Sequence, residues 1–263
     1  MPTTFADLLH VATILHAKGI TTISDGANQS AFSVWAFLTC LDRFGYDNQI
    51  QAIRTGSASF NNPNFLKFYT HLQELQKAGA FSSNVTTQTY DQAVADFSAG
   101  KAAFLDSGLW SSSALQQLPF AADIGFWNGP TFADGVGNQN IAMNVVGAPL
   151  SVSGSVKPGS STYDAVEKFL AYYYSSAAQQ TFVTDGQAPV TNFVGNVPAS
   201  NAIFRSALGT IRGKTAPNRQ PDQYLTSAAQ NALYDSIYGV IEGQLSPQDA
   251  VKTAATAIDG SSK

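Results

Sequence analysis

Cysteine, histidine and charge are all scarce in this chain. Cys40 is the only cysteine among 263 residues, so no disulfide within the chain staples the fold, and no paired-cysteine zinc or redox motif exists. Its place inside the apolar run Phe32–Phe44 reads as that of a small buried hydrophobe. The three histidines, His10, His16 and His71, all fall in predicted helices. His10 and His16 are six apart and lie on different helix faces, and no His-x-x-x-His pair exists, so no metal centre is expected. Charged residues make up 12% of the chain, about half the usual quarter. The formal net charge is −4 and no Lys/Arg cluster is present, which excludes a nucleic-acid footprint and a basic face for anionic membranes. No apolar run reaches the roughly 18 residues of a membrane span, and Met1-Pro2-Thr3-Thr4 has neither the basic start nor the apolar core of a secretory leader. There is no Gly-x-Ser-x-Gly elbow. Gly135-Val136-Gly137 lacks a third glycine and opens no helix, so neither a dinucleotide loop nor a phosphate loop is present and no cofactor is expected.

What is plentiful is apolar and aromatic. Hydrophobic residues reach 44%, with 17 Phe, 10 Tyr and 3 Trp, more rings than a core of this size needs. The length fits one large domain or two modest lobes. Thr4 and Asp7 form a capping box ahead of the face Leu8, Ala12 and Leu15, with Gly19 as the stop. A strand over Ile20–Ile23 follows, then the polar loop Asp25–Ser30, then a mostly apolar helix over Phe32–Phe44 carrying Trp35. Asn62 and Pro63 open a helix whose stripe is Phe65, Phe68, Tyr69, Leu72 and Leu75, stopped by Gly79. Thr89 and Gln92 form a second capping box, ending at Gly100. Strands are predicted at Ala102–Leu105 and Ile124–Trp127, a short helix at Ser112–Leu118, a Gly/Asn-rich loop over Asn128–Asn140 and an extended stretch over Ile141–Val152. A helix from Thr162 carries Val166, Phe169, Leu170 and Tyr173. A loop over Asp185–Pro198, a long helix over Asp222–Glu242 and a last helix from Ser246 complete the chain. Helices dominate and strands are few, which defines an α/β class with a short mixed sheet.

The most informative stretch is Ser98–Trp110. A buried strand ends at Asp106-Ser107-Gly108 and then presents Trp110. A flat ring flanked by small polar groups suits the face of a sugar, which is apolar in the middle and hydroxylated at the edge; the same Trp110 equally suits a core position. Asp25, Asp106 and Asp134 stand at loop or strand ends, where a glycosidase would need two carboxylates; as turn residues they need no such role. Asn28 and Gln29 are adjacent amides that read hydroxyls or fill a solvated turn.

The order of elements resembles the extracellular solute-binding proteins of family 1, the maltose-binding-like sugar receptors of ABC importers. Pro2-Thr3-Thr4-Phe5-Ala6-Asp7-Leu8-Leu9 resembles the family's P-x-T-W/F-x-E/D-L segment. Leu72–Phe81 is similar to the helix that leads to its Gly-Lys-Ala strand. Phe97 to Ala103 with Gly108-Leu109-Trp110 resembles its F-x-x-G-K-A-A…G-x-W signature, the specific part of the likeness. Ala165–Phe169 with Gln187-Ala188-Pro189-Val190 is similar to a later region. The resemblance implies a type II periplasmic-binding-protein-like fold, here an incomplete two-lobe architecture lacking most of the first lobe. Residues 1–145 and 197–263 would form the second lobe, and 146–196 would cross to the first, exposing Phe169, Leu170 and Tyr173 in its absence. It implies a non-enzymatic, extracellular or periplasmic protein associated with the cell surface, a carbohydrate ligand and an ABC permease as partner. Trp110 matches the family's stacking Trp. Ser30 and Phe32 fall where a polar and an aromatic contact are common, beside Asn28 and Gln29. Trp35 follows as ligand contact or core, and Asn144 and Gly147 lie near the expected crossing. Ala229-Gln230-Asn231 lacks the ring that the maltose branch carries on the long helix, which leaves the sugar open. A carbohydrate-active enzyme and a ligand-free interaction module are the alternatives.

Overall fold

A computed structural model describes residues 1–28, 34–143, 150–190 and 195–261. Contacts divide the chain into two compact units. The first comprises Met1–Ser107, Asn128–Val145 and Gly213–Lys263, and the second Gly108–Trp127 and Val146–Arg212.

The first unit starts with α1 (Phe5–Ala17), where Thr4 caps the Asp7 N–H and the Asp7 carboxylate accepts the Thr4 N–H. Strand β1 (Thr21–Ser24) pairs in parallel with β2 (Ala102–Leu105), with Thr21 opposite Ala102 and Ser24 opposite Leu105. The one strand pairing among the described residues is therefore parallel, where a mixed sheet was expected. Two parallel strands need a long crossover, and here it holds four helices: α2 (Trp35–Asp42), α3 (Tyr46–Thr55), α4 (Pro63–Lys77) and α5 (Tyr90–Ser98). Phe81 adds an isolated parallel bridge to Ile23 on the other side of β1.

The core lies where α4 meets α10 (Ser227–Ile241) and α11 (Pro247–Ile258). Asn62 caps α4 with Pro63 in its first turn, and the buried residues of α4 are the expected stripe Phe65, Phe68, Tyr69, Leu72 and Leu75. Ser236 donates its hydroxyl to the Leu233 carbonyl (2.7 Å) and so accepts the buried Tyr69 hydroxyl (2.6 Å). Two buried polar groups are thereby satisfied between α4 and α10. The expected helix over Asp222–Glu242 is broken. A short 3₁₀ turn (Pro221–Tyr224) precedes α10, because the Thr226 side chain caps the Ala229 N–H and starts the helix afresh at Ser227.

The second unit is helical: α6 (Ser112–Leu115), α7 (Ser161–Tyr173), α8 (Ser176–Thr184) and α9 (Ala202–Ile211). The strand expected at Ile124–Trp127 is absent. The Phe126 N–H donates to Ser206 Oγ (3.3 Å) and the Phe126 carbonyl accepts the Thr210 hydroxyl (3.4 Å), both on α9. Helix α7 buries none of its residues. Phe169 is 55% and Tyr172 68% exposed, while Leu170 and Tyr173 are half-buried.

These environments separate two substitutions. Phe65 is fully buried with the Phe60 ring centroid 4.7 Å away, so Phe65→Ala is expected to cost about 3–5 kcal/mol in urea unfolding. Tyr172→Ser on α7 is expected to stay within about 0.5 kcal/mol of the parent.

Candidate functional site

Two groups of candidate residues occupy the two units, and each is built by its own chain. In the second unit Trp110 sits on a 3₁₀ turn (Leu109–Ser111) and is 40% exposed. A Cβ at Gly108 would lie 1.9 Å from indole Cζ3, so the ring folds back over a residue that must lack a side chain. The Ser112 hydroxyl, buried, lies 2.8 Å from the Leu109 carbonyl and 2.6 Å from the Gly186 carbonyl. That contact ties the Trp110 turn to the stretch Gly186–Val190. The Gln187 N–H donates to the Phe182 carbonyl (2.8 Å) and the Val190 N–H to Oε1 of buried Gln179 (2.8 Å). Two sequence motifs 70 residues and more apart are thus joined, and the joint is Ser112, a residue with no signal beyond its place after Trp110.

In the first unit the candidate loop leaves the carboxyl end of β1. Asp25 is buried, and a Cβ at Gly26 would lie 2.4 Å from the Thr89 carbonyl carbon. The exposed Asn28 is held by its backbone N–H to the Gln88 carbonyl (3.0 Å) and by Nδ2 to the Thr87 carbonyl (3.3 Å). One of its amide donors thus serves the turn. Trp35, half-buried, is the first residue of α2. Gln29, Ser30, Phe32, Asn144 and Gly147 lie outside the described residues.

Asp106 leaves the carboxyl end of β2 and is also buried. Its carboxylate accepts the Ala36 N–H (3.2 Å) in the first turn of α2, the stabilising sense for a helix N-terminus. Burial holds its carboxyl well above the usual range, and the nearby Asp25 adds to this. Asp134 takes no part: it meets His71 Nε2 at 3.0 Å, with Glu74 at Nδ1 (2.9 Å). The three aspartates considered for catalysis therefore divide into a buried pair at the sheet edge and an exposed histidine partner. Burial likewise pushes the Cys40 thiol up, which leaves it a poor nucleophile. Among the described residues no cluster of His, Cys, Asp or Glu could hold a metal ion. Where the maltose branch carries a ring, Ala229 is fully buried and Gln230 Nε2 donates to the Asp222 carbonyl (2.8 Å).

The family model of the bacterial extracellular solute-binding proteins matches residues 2–180, and the chain belongs to that family, whose members bind solutes and are not enzymes. No curated protein matches the chain in sequence. Among solved structures, a chitin oligosaccharide binding protein is similar at a TM-score of 0.84 and 19% identity, covering 99% of this chain and 65% of that one. A maltose-bound MalE3 of T. maritima is similar at 0.75 and 19% identity, covering 98% and 65%. A structure from work on xylan utilisation by Caldanaerobius polysaccharolyticus is similar at 0.75 and 21% identity, covering 98% and 66%. These likenesses show the type II periplasmic-binding-protein-like fold. The chain spans about two thirds of the length of the structures it matches. No helix among the described residues is long and apolar enough to cross a membrane.

The buried carboxyls have a pH signature. An unfolded chain ionises Asp106 near pH 4, whereas the folded chain keeps that proton to higher pH. Between those limits the unfolded state binds fewer protons, so stability falls as pH rises. Asp42, buried and pushed up to about 8 by desolvation, acts in the same sense. Melting midpoints of the parent are expected to decline from about pH 4 toward 8. Asp106→Asn keeps an acceptor for the Ala36 N–H and cannot ionise, so its decline is expected to be shallower; equal slopes would mean that Asp106 is already ionised in the folded protein.

Proposed function

We propose that this chain is the substrate-binding part of a carbohydrate importer and holds a neutral oligosaccharide against Trp110. The observation that carries this reading is the 40% exposed indole on a turn fixed by Gly108 and Ser112. An exposed large ring on an anchored turn loses little freedom when a sugar face covers it. The sparse charge of the chain suits an uncharged ligand, and so do the serines at 107, 111, 112 and 113 around the ring in sequence. The solved structures described as binding chitin oligosaccharide and maltose add support from similar folds.

In this reading the chain contributes the second lobe, residues 1–145 and 197–263, with 146–196 passing to a first lobe. Asn28, Gln29, Ser30, Phe32 and Trp35 supply hydroxyl and ring contacts from the loop after β1, and Asn144 and Gly147 supply backbone contacts near the crossing. Closure of two lobes around the sugar excludes water, and an ABC permease at the cell surface selects the closed, loaded form. The protein does no chemistry on its ligand.

Isothermal titration with chitotriose, maltotriose and xylotriose tests the site. Trp110→Ala is expected to weaken the best of these by about 2 kcal/mol, roughly 30-fold. Gly108→Ala, which displaces the ring without removing it, is expected to lose a comparable amount. Unchanged affinity in both variants would remove Trp110 from the site.

A further inference from the structure

The register of β1 and β2 brings two acids together. Ser24 stands opposite Leu105, and the Asp106 N–H donates to the Ser24 carbonyl (3.3 Å), one step past the strand. The next residues of the two chains are Asp25 and Asp106, on neighbouring strands that run about 4.8 Å apart. Side chains alternate along a strand, and Ser24 turns toward α5, where its hydroxyl donates to the Ala93 carbonyl (3.0 Å). Asp25 and Asp106 therefore share the opposite face, the one that meets α2, and there the Asp106 carboxyl accepts the Ala36 N–H (3.2 Å). Asp25 is 1% and Asp106 7% exposed.

Burial and the charge of Asp25 both act against ionising Asp106. The opposing influence is the Ala36 N–H, and no cation acts on this carboxyl. The groups that α2 brings are neutral or engaged elsewhere. The Cys40 thiol lies near enough for Asp106 to act on it, and burial pushes that thiol up. Asp42 meets Asp47 of α3, and the Arg43 guanidinium serves the carbonyls of Asn128, Pro130 and Ile141. Helix α5 brings Tyr90, whose hydroxyl meets Ser107 Oγ (2.8 Å); its Asp91 is exposed, and its Asp96 pairs with Lys101 at the other end of β2 (2.9 Å). On α1 and its cap, Asp7, His10, His16 and Lys18 are exposed. Two carboxylates side by side in a buried setting repel strongly, so the pair keeps a proton that a lone carboxyl would lose.

We propose that Asp25 and Asp106 form a proton-dependent latch: while the pair keeps one proton it holds the root of the loop after β1 against the first turn of α2, and loss of that proton drives the two apart. The loop has little room to give way quietly. A Cβ at Gly26 would lie 2.4 Å from the Thr89 carbonyl carbon, so the chain is already pressed on the start of α5. The Ala27 and Asn28 N–H groups are bound to the Val85 and Gln88 carbonyls (3.2 and 3.0 Å). Repulsion at Asp25 pulls against these contacts, and repulsion at Asp106 pulls against its bond to the Ala36 N–H. Asn28 and Trp35 lie just beyond the two ends that the latch fastens, so their positions follow its state. The latch lies wholly within the first unit and stands whether or not a sugar binds there.

Hydrogen exchange followed residue by residue tests the latch without a ligand. Protection of the Ala27 and Ala36 amides, taken against the unstructured rate at each pH, is expected to fall about tenfold more than that of Leu72 in α4 between roughly pH 4 and 9. Asp25→Asn and Asp106→Asn each leave one carboxyl that ionises without a charged neighbour. Each is expected to remove most of that excess, and the double variant to do no more than either. Carboxyl-carbon NMR of the parent, assigned through the backbone, needs no variant and covers the case in which an asparagine variant does not fold. Asp25 and Asp106 are expected to titrate as a coupled pair, with one of the two steps well above the ordinary carboxyl range of about pH 4. An equal fall at Leu72, an excess that persists in either single variant, or both carboxyls ionised below about pH 5 would overturn the assignment.

Discussion

A single buried guanidinium organises the first unit. Arg43 closes the C-terminal end of α2 and gathers the carbonyls of Asn128, Pro130 and Ile141. At its other end α2 is met by the Asp106 carboxylate. The helix is therefore met at both ends by buried polar side chains, the Asp106 carboxyl at the N-terminus and the Arg43 guanidinium at the C-terminus. The loop after β1 leads into a helix that is already immobilised.

The second unit shows the same economy on a smaller scale. One hydroxyl, that of Ser112, joins the Trp110 turn to Gly186, and one amide, that of Gln179, bridges the Tyr173 carbonyl and the Val190 N–H. Buried polar groups in these places define where a ring stands, because each must find its partner or bear the cost of desolvation. The exposed side of α7 carries Phe169 and Tyr172, both more than half exposed among the described residues. Ring, turn and anchorage together are what the proposed sugar contact relies on in a chain with so little charge.

Much of this was legible in the sequence, and the reasons are local. The capping boxes at Thr4/Asp7 and Thr89/Gln92 formed as read, as did the Asn62-Pro63 helix start, because the side chain and the backbone group it serves lie within three residues of each other. The stripe of α4 was read to the residue, since one face of that helix meets the core. The Gly-Lys-Ala…Gly-x-Trp pattern pointed to the family because it encodes a strand, a stop and a ring in one short run. What failed or was missed is non-local. Ile124–Trp127 has the composition of a strand, yet its backbone is taken by Ser206 and Thr210, about 80 residues away. Arg43 sits in an apolar run and reads as one stray charge until the carbonyls at 128, 130 and 141 are brought round it. The sequence reading passes over helices α3, α8 and α9, although α3 and α9 each bury a regular face, Tyr46, Ile50 and Ile53 on one and Ile203, Phe204 and Ala207 on the other. The candidate ligand residues rest on the resemblance, and of them the structure describes Asn28, Trp35 and Trp110.

The central claim is that the chain holds a neutral sugar in its folded state, and thermal unfolding against graded concentrations of mono- and oligosaccharides tests it most directly. A ligand that binds the folded state raises the midpoint by mass action. The account predicts a concentration-dependent rise with one class of neutral sugar and none with its charged derivatives. A sharp transition whose midpoint ignores every sugar would contradict it.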